Sequence, residues 1–334
     1  MRVLVLVEAI GDMGAGLVGA SVARAWANRG HQVALVPQAA AGAGLGGAVT
    51  DLLGASSGIL VVTDPHPGTE TSTALGEALA EACDARPDQV WIDLATSGAT
   101  DAGAGLVRVL GRTGADARLA EALAAARERL GSVRLLGVVP TEQVNAELTG
   151  MRGVASLAAA AARDAGEPVP PIPELLDQDR GFATVAADLG LATPPPGAGA
   201  GGGLGLAVLA LGGAIASGPG SLAEVARLGE TVRRADLVVV VADALDFGSA
   251  GGEVVTAARA WAEAASLPCV AVCRSVRISS RELRTLGIEA AYGLEPADAV
   301  DEASFGALAT KVASTWTWGT GNLEGRHGVV TDVE

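Results

Sequence analysis

The stretch "ADLVVVVADALDFGSAGGEVV", residues 235–255, decides the fold. It begins with an unbroken aliphatic run at 237–241, and such runs without polar alternation are typical of parallel strands buried on both faces. Acidic residues in a glycine-spaced segment follow directly. In open α/β sheets, ligands bind in loops at the carboxyl ends of the strands. The stretch therefore predicts a buried parallel strand that ends at a binding loop.

Six further aliphatic runs alternate along the chain with segments of helical periodicity. The aliphatic runs cover residues 3–7, 33–36, 59–62, 90–94, 133–139 and 270–272, and the helical segments cover 16–28, 70–83, 117–129, 221–233 and 253–265. Alternation of this kind is typical of an α/β fold with a doubly wound, mostly parallel sheet and helices on both faces.

Proline marks the domain organisation. Seven of the chain's 15 prolines lie between residues 164 and 203. Proline clusters favour extended, semi-rigid connections between folded units. We therefore predict a Rossmann-like sheet domain built from residues 1–55, 70–113 and 215–320. A second, smaller α/β domain is inserted at 114–214, and residues 321–334 are predicted to form a mobile tail.

Composition restricts the classes of partner. The 334 residues carry a net charge of −15, which repels phosphate backbones and anionic lipids. The longest apolar segment, at 204–216, is shorter than the roughly 18 residues that a membrane span requires. Cys83, Cys269 and Cys273 suggest no disulfide framework and are interpreted as buried structural thiols. We expect a cytoplasmic protein with no nucleic-acid or membrane partner.

The first glycine-rich stretch, "EAIGDMGAGLVGA", suggests a dinucleotide site only weakly. Gly14, Gly16 and Gly19 have the G-x-G-x-x-G spacing. A dinucleotide fingerprint also needs a carboxylate after the second strand to bind the ribose, and Gln38 stands there instead. A nucleotide-sugar or dinucleotide enzyme is therefore the last-ranked interpretation.

Two other stretches, "DLATSGATDAGAGLVRVLG" (93–111) and "PGAGAGGGLGLAVLALGG" (196–213), place small-residue loops before helices. In the first, Asp101 is interpreted either as a simple helix cap or as a residue that orders an anion-binding loop or holds Mg²⁺. The second lacks the Gly-Lys-Ser/Thr ending of a P-loop. A hinge or close helix–sheet packing explains it as well as phosphate binding does.

Taken in order, these stretches resemble the type I glycerate kinase family along nearly the whole chain. "TETSTALGEAL" is similar to the family's Thr-Ser-x-Gly-x-Gly-Glu helix, "TSGATDAGAG" to its Asn-Asp-Gly-Gly-Ala-Gly loop, "GAGAGGGLG" to its later glycine-rich loop, and the opening stretch to its last motif. The matching residues are Thr71, Ser72, Gly76, Glu77, Ser97, Asp101, Gly103, Ala104, Gly105, Gly197–Gly205, Asp246, Ser249 and Gly252.

The departures from the family pattern concern charge. Glu8 stands in the position of the first-loop aspartate and Gly11 in that of its lysine, while Gln143 replaces another aspartate and Glu253 the last lysine. Lys311 is the only lysine in the sequence. Because phosphoryl transfer depends on neutralising phosphate charge, loss of a family lysine is costly. Arg108, Arg274 and Arg277 are the candidate substitutes.

The resemblance implies ATP-dependent phosphorylation of D-glycerate with Mg²⁺, so the expected partner is a small-molecule hydroxy acid. The implied catalytic residues are Glu8, Asp101, Asp246 and Ser249, with Asp101 and Asp246 also holding the metal. The implied cofactor-binding residues are Glu77, Ser97, Gly103, Gly105, Gly199, Gly201, Gly202 and Gly252. The alternative is a non-catalytic binding or scaffold descendant of the family, suggested by the missing lysines.

Overall fold

A computed structural model of the protein describes residues 1–42, 44–294 and 301–317. The chain packs as two compact units. The first consists of Met1–Gln38 and the C-terminal part from Ala223, and the second consists of Ala39–Leu222. Each unit contains its own parallel sheet. Among the described residues, no helix has both the length and the apolar character that crossing a bilayer requires.

The first unit has a five-stranded sheet in the order β2-β1-β7-β8-β9, in which every described pairing is parallel. Its strands are β1 (Arg2–Val7), β2 (Gln32–Pro37), β7 (Leu237–Asp246), β8 (Cys269–Arg277) and β9 (Ala290–Gly293). Its helices are α1 (Ala15–Ala27), α10 (Leu228–Val232), α11 (Gly252–Ala264), α12 (Ser280–Thr285) and α13 (Glu302–Thr315).

Burial on both faces explains why the strands of this sheet are uniformly aliphatic. Val3 and Val5 pack in a cluster with Trp26 of α1 and Phe305 of α13. Leu4, which points to the opposite face because side chains alternate along a strand, is also fully buried. A strand covered on both sides has no position for a polar residue, and this produces the continuous apolar runs in the sequence.

The second unit has a four-stranded parallel sheet in the order β3-β4-β5-β6. Its strands are β3 (Ile59–Thr63), β4 (Gln89–Asp93), β5 (Arg134–Val139) and β6 (Ala214–Ser217). Its helices are α2 (Leu45–Leu53), α3 (Thr73–Asp84), α4 (Ala104–Leu110), α5 (Leu119–Leu130), α6 (Val154–Asp164), α7 (Ile172–Asp188) and α8 (Leu204–Ala210). The helix α9 (Gly218–Val225) runs from this unit into the first.

The predicted fold class is confirmed, since the chain is α/β with parallel sheets and an inserted second α/β unit. The inserted unit is longer than the predicted 114–214, because β3 and β4 pair with β5 and not with strands of the first unit. The predicted tail at 321–334 lies outside the described residues.

One predicted helix differs from the structure, and one apolar run contains a break, each for an identifiable backbone reason. The predicted helix at 221–233 is divided between α9 and α10, because Arg227 adopts a left-handed φ of 49° that interrupts the helix. The apolar run at 204–216 contains α8 and most of β6, and the turn between them includes Gly212 at a φ of 86°. Hydrophobic periodicity does not detect either break.

Candidate active site

Asp101 connects the amino ends of α3 and α4. Its Oδ2 accepts hydrogen bonds from the Ser72 N–H (3.1 Å), the Ser72 hydroxyl (3.0 Å) and the Gly105 N–H (2.9 Å). Its Oδ1 accepts the Gly103 N–H at 3.0 Å. The Ser72 hydroxyl in turn accepts the N–H of Leu106 at 2.8 Å. These bonds satisfy N–H groups that helix ends otherwise leave unpaired, and they support the interpretation that Asp101 orders the loop.

Two glycines of the family pattern allow this junction to close. A Cβ on Gly76 of α3 would lie 2.8 Å from the Cα of Leu106, and a Cβ on Gly105 of α4 would lie 2.9 Å from Oδ2 of Asp101. Both distances are shorter than real Cβ contacts allow. Glu77, which is also part of α3, lies on the exposed face of that helix. The two motifs are therefore one structural unit, in which the glycines permit the approach of two helices.

The glycine-rich segment 197–205 is held by bonds within its own unit. The N–H of Gly199 donates to the carbonyl of Ala146 at 3.0 Å, and the N–H of Gly201 donates to Oε1 of Gln143 at 3.0 Å. Gly201 and Gly202 have left-handed φ angles of 57° and 70°. A Cβ on Gly199 would lie 2.0 Å from a backbone carbonyl oxygen. Close packing thus requires glycine here, independently of any ligand.

Ser97 belongs to a buried polar group that the sequence analysis did not identify. Its hydroxyl donates to Oδ2 of Asp64 at 2.6 Å, and Asp64 is 6% exposed at the end of β3. Asp93, at the end of β4, is fully buried and accepts the N–H groups of Gly42 and Ala95. Burial raises the pKa of Asp93 above its ordinary value. The only sequence signal for Asp64 and Asp93 was that one aspartate stands at the end of each of the two aliphatic runs that form β3 and β4.

In the first unit, Glu8 follows β1 and lies beside Val241 and Asp243 of β7. Its Oε1 accepts the N–H of Asp243 at 3.1 Å. Burial raises the pKa of Glu8 to about 7, the hydrogen bond from Asp243 opposes the rise, and the charge of Asp243 adds to it. Arg274 of β8 forms two 2.6 Å bonds to the Asp243 carboxylate and lowers the pKa of Asp243. Glu8 is therefore a carboxyl group that titrates near neutral pH.

Asp246 ends β7, Ser249 lies in the turn that follows, and Gly252 begins α11. Oδ1 of Asp246 accepts both the N–H (2.8 Å) and the hydroxyl (3.1 Å) of Ser249, and the N–H of Gly252 donates to the Ser249 carbonyl at 2.9 Å. The Ser249 hydrogen bonds, aided by the nearby charge of Arg277, lower the pKa of Asp246. Asp246 is thus an ionised carboxylate at a strand's carboxyl end.

The predicted site residues fall into two groups, one in each unit. Glu8, Asp246, Ser249 and Gly252 belong to the first, and Glu77, Ser97, Asp101, Gly103, Gly105, Gly199, Gly201 and Gly202 belong to the second. Of the candidate arginines, Arg274 is paired with Asp243, and Arg277 lies opposite Asp246 in strand register. The Nε of Arg108 is buried with no partner among the described residues.

A family model described as the glycerate kinase family matches residues 39–316. The chain belongs to the glycerate kinase family. The glycerate kinase match includes the Asp101 loop, the glycine-rich segment and the Asp246 turn, while Glu8 lies before it. A crystal structure from Salmonella typhimurium LT2, described as "putative glycerate kinase 2", has the same fold. It covers 94% of this chain and 98% of its own, with 18% identity and a TM-score of 0.70.

Two curated relatives are similar in sequence, and both are described as uncharacterised proteins. One is from Mycobacterium bovis and one from Mycobacterium tuberculosis, each 27% identical over 226 residues. The alignment covers 67% of this chain and 55% of each relative, so the matched region spans about half the length of the relatives.

Proposed function

We propose that the protein phosphorylates the hydroxyl group of D-glycerate or a related small hydroxy acid, with ATP as the donor and a site that has diverged from the family pattern. The observation that carries the proposal is Glu8, a half-buried carboxyl group with a pKa of about 7 at the carboxyl end of β1. A general base is most effective when its pKa is close to the operating pH. ATP as donor is consistent with a cytoplasmic location.

The proposed role of Glu8 is to accept the proton of the substrate hydroxyl. Near neutral pH about half of the Glu8 side chains are ionised and able to accept a proton. The N–H of Asp243 holds Oε1 in place, and the Asp243–Arg274 pair fixes the neighbouring carboxylate. In this proposal Asp243 and Arg274 position Glu8 and neutralise each other.

Asp246 is a suitable single protein ligand for Mg²⁺. Mg²⁺ is usually bound by one or two carboxylates together with substrate phosphates and water, and Asp246 is ionised and solvent-accessible. Asp101 fits less well because four protein donors already surround its oxygens. The described residues contain no cluster of three or more metal-ligating His, Cys, Asp or Glu side chains. When bound, the ion would supply charge neutralisation.

The ATP phosphates fit the family's glycine positions poorly. Several of the predicted phosphate-binding amides donate to acceptors of the protein itself, namely those of Gly103, Gly105, Gly199, Gly201 and Gly252. We therefore assign the phosphates of ATP to no residue, and no step of the proposal is routed through the nucleotide. The same observation favours a second candidate, a non-catalytic binding descendant of the family.

Kinetics test the first candidate. Purified full-length protein is assayed for ADP release with Mg-ATP and D-glycerate, beside Glu8→Gln and the control Glu263→Gln, which alters an exposed carboxylate on α11. General-base catalysis contributes about 10²–10⁴-fold. We expect E8Q to lose at least about 100-fold in kcat, whereas E263Q retains the wild-type rate. Equal rates for wild type and E8Q would remove Glu8 from the reaction.

Thermal unfolding separates the second candidate from the first. A ligand present at 100 times its Kd stabilises the folded state by about 2.7 kcal/mol, whether or not a reaction follows. Stabilisation by D-glycerate or Mg-ATP without turnover would support a binding protein. Absence of both turnover and stabilisation would contradict both ligand assignments and support a scaffold role.

A further inference from the structure

A cleft of about 310 Å³ lies in the first unit at the amino ends of β1 and β2. One wall includes Arg2 and Gln32 from these strands, and the other includes Arg227, Thr231 and Arg234 from α10 and its flanks. Glu8 and Asp246 lie at the carboxyl ends of β1 and β7 in the same sheet. Since a six-residue strand is about 20 Å long, the cleft is separate from the candidate active site.

The cleft concentrates positive charge on an acidic protein. The sequence has 38 acidic and 23 basic residues, yet three arginines and one acidic residue, Glu230, line this cleft. Arg2 pairs with Asp236 at 3.3 Å through one guanidinium nitrogen, Nη2. Arg227 and Arg234 form no side-chain ion pair with any described residue. Their guanidinium donors are therefore available to a ligand.

The chemistry of the walls selects the class of ligand. The guanidinium group is a planar fork of donors that matches carboxylate and phosphate oxygens two at a time. The rest of the lining comes from the start of the strands, where Val33 and Ala34 are partly exposed, whereas Val3 and Leu4 are buried. A volume of about 310 Å³ is at the lower end of the range for small-molecule sites.

We propose that this cleft binds a small organic anion, a phosphate monoester or carboxylate with a short apolar group, through Arg227 and Arg234. The apolar group would lie against Val33 and Ala34, and the anionic group would face the two guanidinium groups. The site requires neither ATP nor turnover, so it does not rest on the proposed function.

The test is calorimetric titration of the full-length protein with phenyl phosphate, compared with the neutral analogue benzyl alcohol. The variant is Arg227→Gln/Arg234→Gln. Its matched control is Arg29→Gln/Arg233→Gln, which removes the same charge from two exposed arginines of the same unit that do not line the cleft. Urea unfolding midpoints verify that both double variants are folded.

We expect wild type and control to bind phenyl phosphate with a Kd of about 1 mM or tighter. Loss of two charge-assisted contacts should weaken the cleft variant at least about tenfold, and added salt should weaken wild-type binding. The proposal is overturned if wild type shows no saturable binding, if the control weakens as much as the cleft variant, or if benzyl alcohol binds as tightly as phenyl phosphate.

Discussion

The hydroxyl of Ser72 and the carboxylate of Asp101 meet at 3.0 Å, although 29 positions separate them in sequence. Through this contact, one carboxylate serves the amino ends of two helices, α3 and α4. The family motifs at 70–77 and 97–105 are thereby explained as two halves of one junction. The shape of the loop therefore depends on the Asp101 side chain.

Replacement of Asp101 by asparagine should therefore reduce stability. The amide group of asparagine brings an N–H donor toward the N–H groups of Ser72 and Gly105, where a carboxylate oxygen now accepts. We expect a loss of about 2 kcal/mol in the free energy of unfolding, measured by urea denaturation. Asp116→Asn, at an exposed position of the same unit, should change it by less than about 0.5 kcal/mol. Equal stability of the two variants would refute the structural role of Asp101.

The close packing of α3 against α4 predicts that alanine at Gly76 destabilises the protein. Alanine at Gly47, which lies outside this contact, should not. Gly76→Ala places a Cβ 2.8 Å from the Leu106 Cα and should destabilise the protein by about 1–3 kcal/mol. Gly47→Ala in α2 meets no atom within 4 Å and should be neutral or stabilising by up to about 1 kcal/mol. Thermal or urea unfolding measures both. A stabilising G76A would contradict the helix packing described here.

Glu8 should make stability depend on pH. Its pKa is raised from 4.5 to about 7 in the folded chain, so the folded state holds a proton that the unfolded state releases as the pH rises. The contribution of Glu8 to stability is therefore greatest below about pH 4.5 and is lost as the pH rises to about 7, a change of about 3 kcal/mol. Glu8→Gln removes this contribution, because glutamine does not ionise.

The comparison of wild type with E8Q isolates this effect from other titrating groups. At pH 5 the two proteins should be similarly stable, and at pH 8 E8Q should be the more stable. Urea unfolding midpoints at both pH values test the prediction. A difference between the two proteins that is the same at pH 5 and pH 8 would show that Glu8 is already ionised at low pH.

The thiols should be unreactive in the folded protein. Cys269 and Cys273 of β8 are 1% and 0% exposed, and burial raises the pKa of each to about 12. Cys83 is 5% exposed, and burial raises its pKa to about 11. Because the thiolate is the reactive species, a chromogenic disulfide reagent should titrate all three thiols only in denaturant. Rapid reaction of any thiol in the native protein would contradict this burial.

Most of the fold was predictable because burial on both sides of a parallel sheet leaves unmistakable aliphatic runs. The strands β6 and β9 were missed, since each has only four residues and no such run. The division of the chain was not predictable in detail, because the aliphatic runs do not specify which strands pair. Only the structure shows that β3 pairs with β4 in a second sheet.

The candidate site was predictable as a set of loops but not as a set of contacts. The motifs led to the Asp101 loop, which follows β4, and to Asp246, which ends β7. They did not reveal that the amides of Gly199 and Gly201 are already hydrogen-bonded, because a glycine needed for packing and a glycine needed for phosphate binding look identical in sequence. Nor did they reveal the raised pKa of Glu8, which depends on burial.

The most direct measurement of the central claim is ³¹P NMR of the purified protein incubated with Mg-ATP and D-glycerate. The proposed function predicts a new phosphate monoester resonance that grows in step with ADP, in wild type and Glu263→Gln and at a strongly reduced rate in Glu8→Gln. A spectrum in which ATP persists unchanged, or in which ADP and inorganic phosphate form without any monoester, would contradict it.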